Sequence, residues 1–365
     1  MAVLRNDSPA LKRGWHPLIQ ESEVTDSPQR VMLLGEGWVV LRMDGEIVAF
    51  PDRCPHRNAR LSDGVVVNAP RTSGAGAGAG RDTMARSLQN PPTDARSHLE
   101  CPYHGWQFDG RGTCSFIPAL GPGATVPPTA HLPQSRLQVR YGIVWVAPDE
   151  PVRDIIEIPQ FDDPSLQVMW LPCADINATA GQFIDNFLDF GHFPFVHAGT
   201  FGAGEDSHIP SYEVQTAPDN WGFVVEYAHT IKNNEDPLVT TGEHPLVQPR
   251  EMRYEYSAPF AATLQLRFPL TDMLNILVIF LQPLDADNTR LYCAMIRNDC
   301  DTPQKVQDAI DYELAVLAED LRIIENLWDN EIPVDLDDRA PKQTHTRADR
   351  NTIEFRRMMA RLLAG

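Results

Sequence analysis

The pattern of apolar and polar positions divides the chain into a first part rich in short strands and a second part that mixes strands with helices. Residues 31–57, VMLLGEGWVVLRMDGEIVAFPDRCPHR, carry short β-branched runs that break at Gly-Glu-Gly and Asp-Gly. That pattern predicts consecutive strands joined by tight turns. Further strands are expected at 65–67, after CPYHG, and at 139–147 (VRYGIVWVA), with a Pro-rich connection before the last. Beyond residue 164 the pattern predicts strands at 212–215, 222–229, 252–256, 262–268, 273–281 and 289–296, several alternating and others continuously apolar, as in one large antiparallel sheet. A helix is expected at 182–192, bending near Gly191 and Pro194. A long amphipathic helix is expected at 302–330, with Val306, Ile310, Leu314, Leu317, Leu321, Ile324 and Leu327 on its apolar face and Pro333 ending it. Residues 1–14 read as a loose polar lead-in, and the segment from Thr352 as a short Arg-rich helix or tail. The fold class is therefore α+β: a small all-β domain, then a larger domain with an antiparallel sheet flanked by helices.

Composition sharpens this picture at one place. Residues 68–98 contain a Gly-Ala repeat and paired prolines, with little that could enter a core. They read as a flexible insertion, with a short helix possible at 81–88. The domains are expected at 1–150, carrying that insertion, and at 151–365. A length of 365 residues with 42% apolar content suits two globular domains. A net charge of -19, from 50 acidic and 31 basic residues, argues against nucleic acid as a partner. Six cysteines are too few for a disulfide scaffold. The N-terminal sequence has no apolar signal-peptide core, and the most apolar run, MLNILVIFL, is too short to span a bilayer. A cytoplasmic protein with no membrane partner is expected.

Two clusters of metal-ligating residues carry the chemistry. Cys54-Pro-His56 and Cys101-Pro-Tyr-His104 supply two thiolates and two imidazoles beside turn-forming residues. That donor set suits tetrahedral zinc or a Rieske [2Fe-2S] cluster, with Cys on one iron and His on the other. The tight C-x-H spacing and the flanking Gly105-Trp106 favour the second. Cys114 reads as a small buried residue rather than a ligand. Downstream, NFLDFGHFPFVH places Asp189, His192 and His197 within nine residues. Two imidazoles and a carboxylate form the facial triad that suits Fe(II) and leaves positions open. Read locally, Asp189 is the carboxylate, sharing a helix face with His192.

The motifs CPHR and CPYHGWQFDG, followed by Asn186-x2-Asp189-x2-His192-x4-His197, resemble the signature of the Rieske non-haem iron oxygenases, and the likeness runs from about Trp15 to Glu331. The resemblance implies that Cys54 and Cys101 hold one cluster iron and His56 and His104 the other. It implies that the mononuclear iron is held by His192, His197 and a carboxylate from the long helix, at Glu319-Asp320. Asp320 is the expected ligand, with Asp329 as fallback. Asp189 would then link a cluster histidine of a neighbouring subunit to an iron-bound histidine, and Asn186 matches an asparagine near the iron. The long stretch between the two Cys-His motifs departs from the family pattern.

No dinucleotide-binding fingerprint is present, so electrons must come from a separate ferredoxin or NAD(P)H-dependent reductase. The resemblance implies a homotrimer. An apolar pocket is expected, drawn from Leu264, Leu266, Phe268, Leu274, Ile276 and Val278, with Phe187, Phe190, Phe193 and Phe195 near the metal. His208, His229, His244 and His345 are expected to be spare, and His98 to lie at the surface. The implied activity is O2-dependent hydroxylation or oxidative demethylation of an apolar aromatic or polycyclic small molecule, a monooxygenase before a ring-hydroxylating dioxygenase. The competing class is a non-catalytic Rieske electron carrier or redox sensor, which would leave His192, His197 and Asp320 without a role.

Overall fold

The computed structural model describes residues 2–68, 96–202, 207–336 and 343–365. The expected flexible insertion and the helix at 81–88 lie almost wholly outside those residues. The chain divides into two units, Leu18–Pro148 and Met1–Pro17 with Asp149–Gly365. The expected lead-in is therefore structured. Val3–Leu4 pairs with Ile332–Pro333, and Leu4 and Leu11 are buried. Buried leucines in this polar stretch hold it to the larger unit.

The smaller unit is all β. Gln29–Leu33, Glu36–Met43 and Glu46–Pro51 form an antiparallel meander whose core-facing residues include Val39, Leu41 and Phe50. A second sheet is built from Val65–Asn68, Ser97–Glu100, Gln107–Phe108 and Cys114–Phe116. Its first two strands pair antiparallel, Val65 against Glu100 and Asn68 against Ser97. His98 sits in this hairpin and is buried, not at the surface: its strand places it on the inward face. Cys114 is buried, as expected.

The larger unit carries an antiparallel sheet with the path Gln167–Trp170, Thr289–Arg297, Met273–Pro283, Ala261–Phe268, Val247–Ser257, Gly222–Lys232 and Val214–Thr216. Each strand predicted beyond residue 164 is present, whereas the single strand expected at 139–147 is a hairpin, Arg136–Arg140 against Ile143–Ala147. The run from Met273 is buried on both faces, which is why it reads as continuously apolar. The long helix spans Pro303–Ile324, capped by Thr302, whose hydroxyl accepts from the Lys305 N–H. It stops nine residues before Pro333. Its inward face is Ala309, Tyr312, Glu313, Val316 and Asp320, not the aliphatic stripe alone. Arg350–Ala364 forms a final helix with Phe355, Met358, Met359 and Leu362 buried. Its Arg356 makes a two-point ion pair with Asp185, at 2.6 and 3.1 Å. No helix among the described residues is long and apolar enough to cross a membrane.

Candidate metal centres

The first predicted helix is shorter than its pattern suggested. It spans Ala180–Phe187, opened by a reciprocal Thr179–Gln182 capping box, and ends before Asp189. Asp189 and His192 therefore do not meet as neighbours on a helix face. Instead Asp189 closes a turn: its carboxylate accepts the N–H groups of Gly191 and His192, at 3.1 and 3.0 Å, and the Nδ1–H of His192, at 3.0 Å. A one-turn helix, Phe193–Val196, then brings His197 back beside His192. The two Nε2 atoms lie 3.2 Å apart. Asp320, from the long helix, sets Oδ1 3.4 Å from His192 Nε2 and 3.3 Å from His197 Nε2.

His192, His197 and Asp320 thus present three ligand atoms within 4.8 Å of one another. Asp320 Oδ1 is buried without a hydrogen-bond partner, an expensive arrangement unless a cation satisfies it. Burial pushes the Asp320 carboxyl up, but the two imidazoles outweigh it and hold it at about 2. Burial likewise pushes His192 down, and Asp189 and Asp320 outweigh it, lifting the imidazole to about 9. Two imidazoles and a carboxylate in this arrangement suit a divalent iron. Asp329 takes no part; its backbone carbonyl accepts from Gln182 Nε2.

One role was missed by sequence reasoning. Glu319 accepts the Nδ1–H of His197 at 2.9 Å and the hydroxyl of Thr200 at 2.8 Å. Each histidine therefore has a carboxylate on Nδ1, which leaves Nε2 free to face the metal position. Glu319 sat in plain view in the Glu-Asp pair, but only the fold shows which acid faces which histidine. Asp189 shows the intrachain part of its expected bridge, to His192. Burial would raise its carboxyl, and the His192 ring and backbone N–H groups outweigh this and hold it below the usual range.

Above these ligands lies a cavity between the sheet and the long helix. Asn186, Phe187, Phe193, Leu264, Leu266 and Phe268 line it, as expected. Leu274, Ile276 and Val278 do not. The cavity face of their strand is Asn275, Leu277 and Ile279, one residue out of phase, and a shift of one exchanges the two faces of a strand. Phe190 packs behind the site, stacked 4.7 Å from Tyr227, and Phe195 is exposed. Nor is the cavity simply apolar. Asn275 Oδ1 and the Tyr254 hydroxyl are buried without partners, and Arg250, Tyr312 and Glu313 also line it. His229, expected to be spare, accepts from Arg250 Nε at 3.0 Å. His244 pairs with Asp236 at 2.7 Å, His208 lies 3.3 Å from Arg347, and His345 lines a separate surface cleft.

In the smaller unit two loops share one geometry. Asn58 N–H donates to Cys54 O, and Gly105 N–H to Cys101 O. Cys54 N–H donates to Ala59 O, and Cys101 N–H to Trp106 O. Asn58 and Gly105 both take positive φ, 58° and 69°, the conformation such a turn needs. Both cysteines are buried and free of disulfides. A hydrogen bond between the thiols holds Cys101 down and Cys54 up. The His56 and His104 rings lie 4.4 Å apart, and Trp106 stacks on His56 at 4.7 Å. His56 Nδ1 is buried with no partner. Two thiols and two imidazoles, converging from matched loops with an unused ring nitrogen, fit a cluster bound through sulfur and nitrogen.

Sequence and structure comparisons agree with this geometry. Residues 14–72 and 84–134 match the Rieske [2Fe-2S] domain, and residues 176–365 match the vanillate O-demethylase oxygenase C-terminal domain. The chain is 28% identical to methylxanthine N1-demethylase NdmA of Pseudomonas putida over 99% of its length and 92% of that protein. It is 29% identical to methylxanthine N3-demethylase NdmB of the same organism, over 97% and 90%. The solved NdmB structure superposes with a TM-score of 0.73 at 28% identity, covering 97% of this chain and 92% of that one. Dicamba monooxygenase bound to dicamba shares the fold, with a TM-score of 0.72 at 19% identity over 97% and 98%. With a Rieske domain preceding a matched iron-binding catalytic domain, the chain belongs to the vanillate O-demethylase oxygenase family and is a terminal oxygenase of the Rieske non-haem iron type.

Proposed function

We propose that this oxygenase removes a methyl group from, or hydroxylates, a small aromatic or nitrogen-heterocyclic molecule, using O2 and electrons from a separate ferredoxin or NAD(P)H-dependent reductase. One observation carries the reading: the His192, His197 and Asp320 ligand atoms open into a cavity with aromatic walls and a few buried polar atoms. Phe187, Phe193 and Leu264 favour a flat apolar ring system; Asn275 and Tyr254 favour one that carries polar groups. The similarity to methylxanthine and dicamba demethylases supports demethylation. A dioxygenase is the second reading, supported by 25% identity to a 3-chlorobenzoate-3,4-dioxygenase subunit over 77% of this chain.

Cys54, His56, Cys101 and His104 would hold the [2Fe-2S] cluster, and His192, His197 and Asp320 the mononuclear iron. When bound, these groups supply one-electron transfer and O2 activation. The protein's own contribution is placement. Asp189 and Glu319 fix the ring orientation and tautomer of each histidine. The apolar walls hold the reacting carbon over the metal position and exclude water.

A homotrimer with electron passage between subunits fits two exposed patches. Trp328 is 98% exposed and adjoins Leu327 and Ile323, on the cleft that also reaches Asp189. In the smaller unit Tyr103 is 65% exposed beside His104. The cluster loop of one copy would dock on the Asp189 cleft of the next. A reducing, cytoplasmic setting suits the free thiols.

Aerobic turnover with a surrogate reductase tests the activity. Methylated aromatic and heterocyclic compounds should yield demethylated product with formaldehyde, detected by mass spectrometry. Reductant-dependent O2 uptake without product from any of them would refute the substrate class. Mixed trimers of a Cys101→Ser chain and an Asp320→Ala chain should regain activity that neither has alone; absence of complementation would refute passage between subunits.

A further inference from the structure

The cavity's polar groups are not scattered. Glu313 lies on the long helix seven residues before Asp320, so it shares nearly the same face about 10 Å away. That separation matches the length of one flat two-ring molecule. Glu313 lines the cavity and has no hydrogen-bond partner among the described residues. Arg250, on the Val247–Ser257 strand, also lines it and is only 5% exposed.

Arg250 has no carboxylate partner among the described residues. Its Nε donates to His229, one terminal nitrogen lies 3.8 Å from Met252 Sδ, and its guanidinium stands 4.4 Å above the Phe201 ring. His229 is kept neutral by burial and by Arg250, which together push it to about 3. The neighbouring charges are otherwise committed: Glu235 pairs with Arg297 at 2.9 Å, and Arg297 also pairs with Asp299 at 2.9 Å. Burial, Glu235 and Asp320 push the Glu313 carboxyl up to about 7. A buried cation and a partly buried acid, each lacking an oppositely charged partner in a substrate cavity, are costly for folding alone. A ligand can satisfy both.

We propose that Glu313 and Arg250 are a specificity-determining pair that grips one polar edge of the substrate. Glu313 accepts from a ring N–H, and Arg250 donates to the carbonyl oxygen beside it, so the pair selects cyclic amides and imides. The assignment rests on the oxygenase reading of this cavity, but binding tests it without turnover.

The probes are phthalimide, which carries an N–H between two carbonyls, and N-methylphthalimide, which lacks the N–H. Their affinities are measured by calorimetry on metal-loaded holoprotein, with iron content read for every variant. Wild type should prefer phthalimide. Glu313→Leu should weaken phthalimide binding by about tenfold or more, the cost of losing a charge-assisted bond, and leave N-methylphthalimide nearly unchanged. Glu313→Gln, which retains an acceptor oxygen, should restore part of the preference. Equal weakening of both probes, an unchanged preference in Glu313→Leu, or no binding by wild type overturns the proposal. If the preference behaves as stated while no methylated probe yields formaldehyde in the turnover assay, the pair stands and the demethylase reading falls.

Discussion

Changing Glu319 isolates what a carboxylate behind a ligating histidine contributes. Its Oε2 accepts the His197 Nδ1–H at 2.9 Å and the Thr200 hydroxyl at 2.8 Å, so one carboxylate fixes both the ring and the loop after it. Removing such an outer partner costs about ten- to a hundredfold in metal affinity, or roughly 1.4–2.7 kcal/mol. Glu319→Gln keeps one acceptor oxygen and should sit near the low end. Glu319→Ala frees the ring and should sit near the high end. His192 retains Asp189 in both variants, so iron is weakened rather than lost. Gly199 supplies an independent route to the same effect. A Cβ there would lie 2.5 Å from Glu319 Oε1, so Gly199→Ala must displace the carboxylate without altering it. The assay strips the mononuclear site and titrates ferrous iron back anaerobically against a competing chelator. The reduced Rieske paramagnetic signal serves as an internal control for folding. Ferrous affinities within threefold of wild type for both Glu319 variants would falsify the outer-carboxylate account.

Further outcomes follow from other contacts. Asp320→Ala should abolish mononuclear iron and turnover while the Rieske signal persists, leaving about two irons per chain against three in wild type, as counted by elemental analysis. Cys101→Ser should do the reverse, bleaching the visible spectrum while ferrous iron still binds at His192. Arg356→Ala strands Asp185, whose carboxyl is already raised by burial; breaking a buried pair costs about 3–5 kcal/mol, so calorimetric Tm should fall by several degrees. Glu313 titrates at about 7 in the fold against an ordinary 4.5, so the folded chain holds that proton more tightly than the unfolded one. Its stabilisation is complete below pH 4.5 and is lost as pH rises through 7. The Tm of Glu313→Gln relative to wild type should therefore climb between pH 5 and pH 8, and a flat difference would contradict the burial argument.

The legible parts of the sequence were those where chemistry needs a fixed spacing. Cys54-x-His56, Cys101-x2-His104 and His192-x4-His197 each put both donors on one short turn, so local text suffices. Parity was not legible at Met273–Pro283. Both faces of that strand are buried, so MLNILVIFL carries no alternation to say which set faces the cavity, and Asn275 inside it was passed over. Charged residues misled in the same way. Arg250 and Glu313 look like surface residues until neighbouring strands and the metal-bearing helix enclose them. The long helix ends at Ile324, short of the expected 330: apolar periodicity continues through Leu327, but the backbone turns away.

The Val65–Asn68 and Ser97–Glu100 hairpin separates two things that sequence leaves entangled. Whatever chain joins Asn68 to Ser97 enters at one end of a four-rung ladder, while Glu100 delivers Cys101 at the other, about 10 Å along the strands. The ladder therefore acts as a mechanical buffer, and the sulfur-bearing loop takes its bearings from the rungs rather than from the joining segment. That makes this hairpin end a natural port for grafting: a foreign domain, even a tethered electron donor, could be spliced between Asn68 and Ser97 with the redox loop held in register.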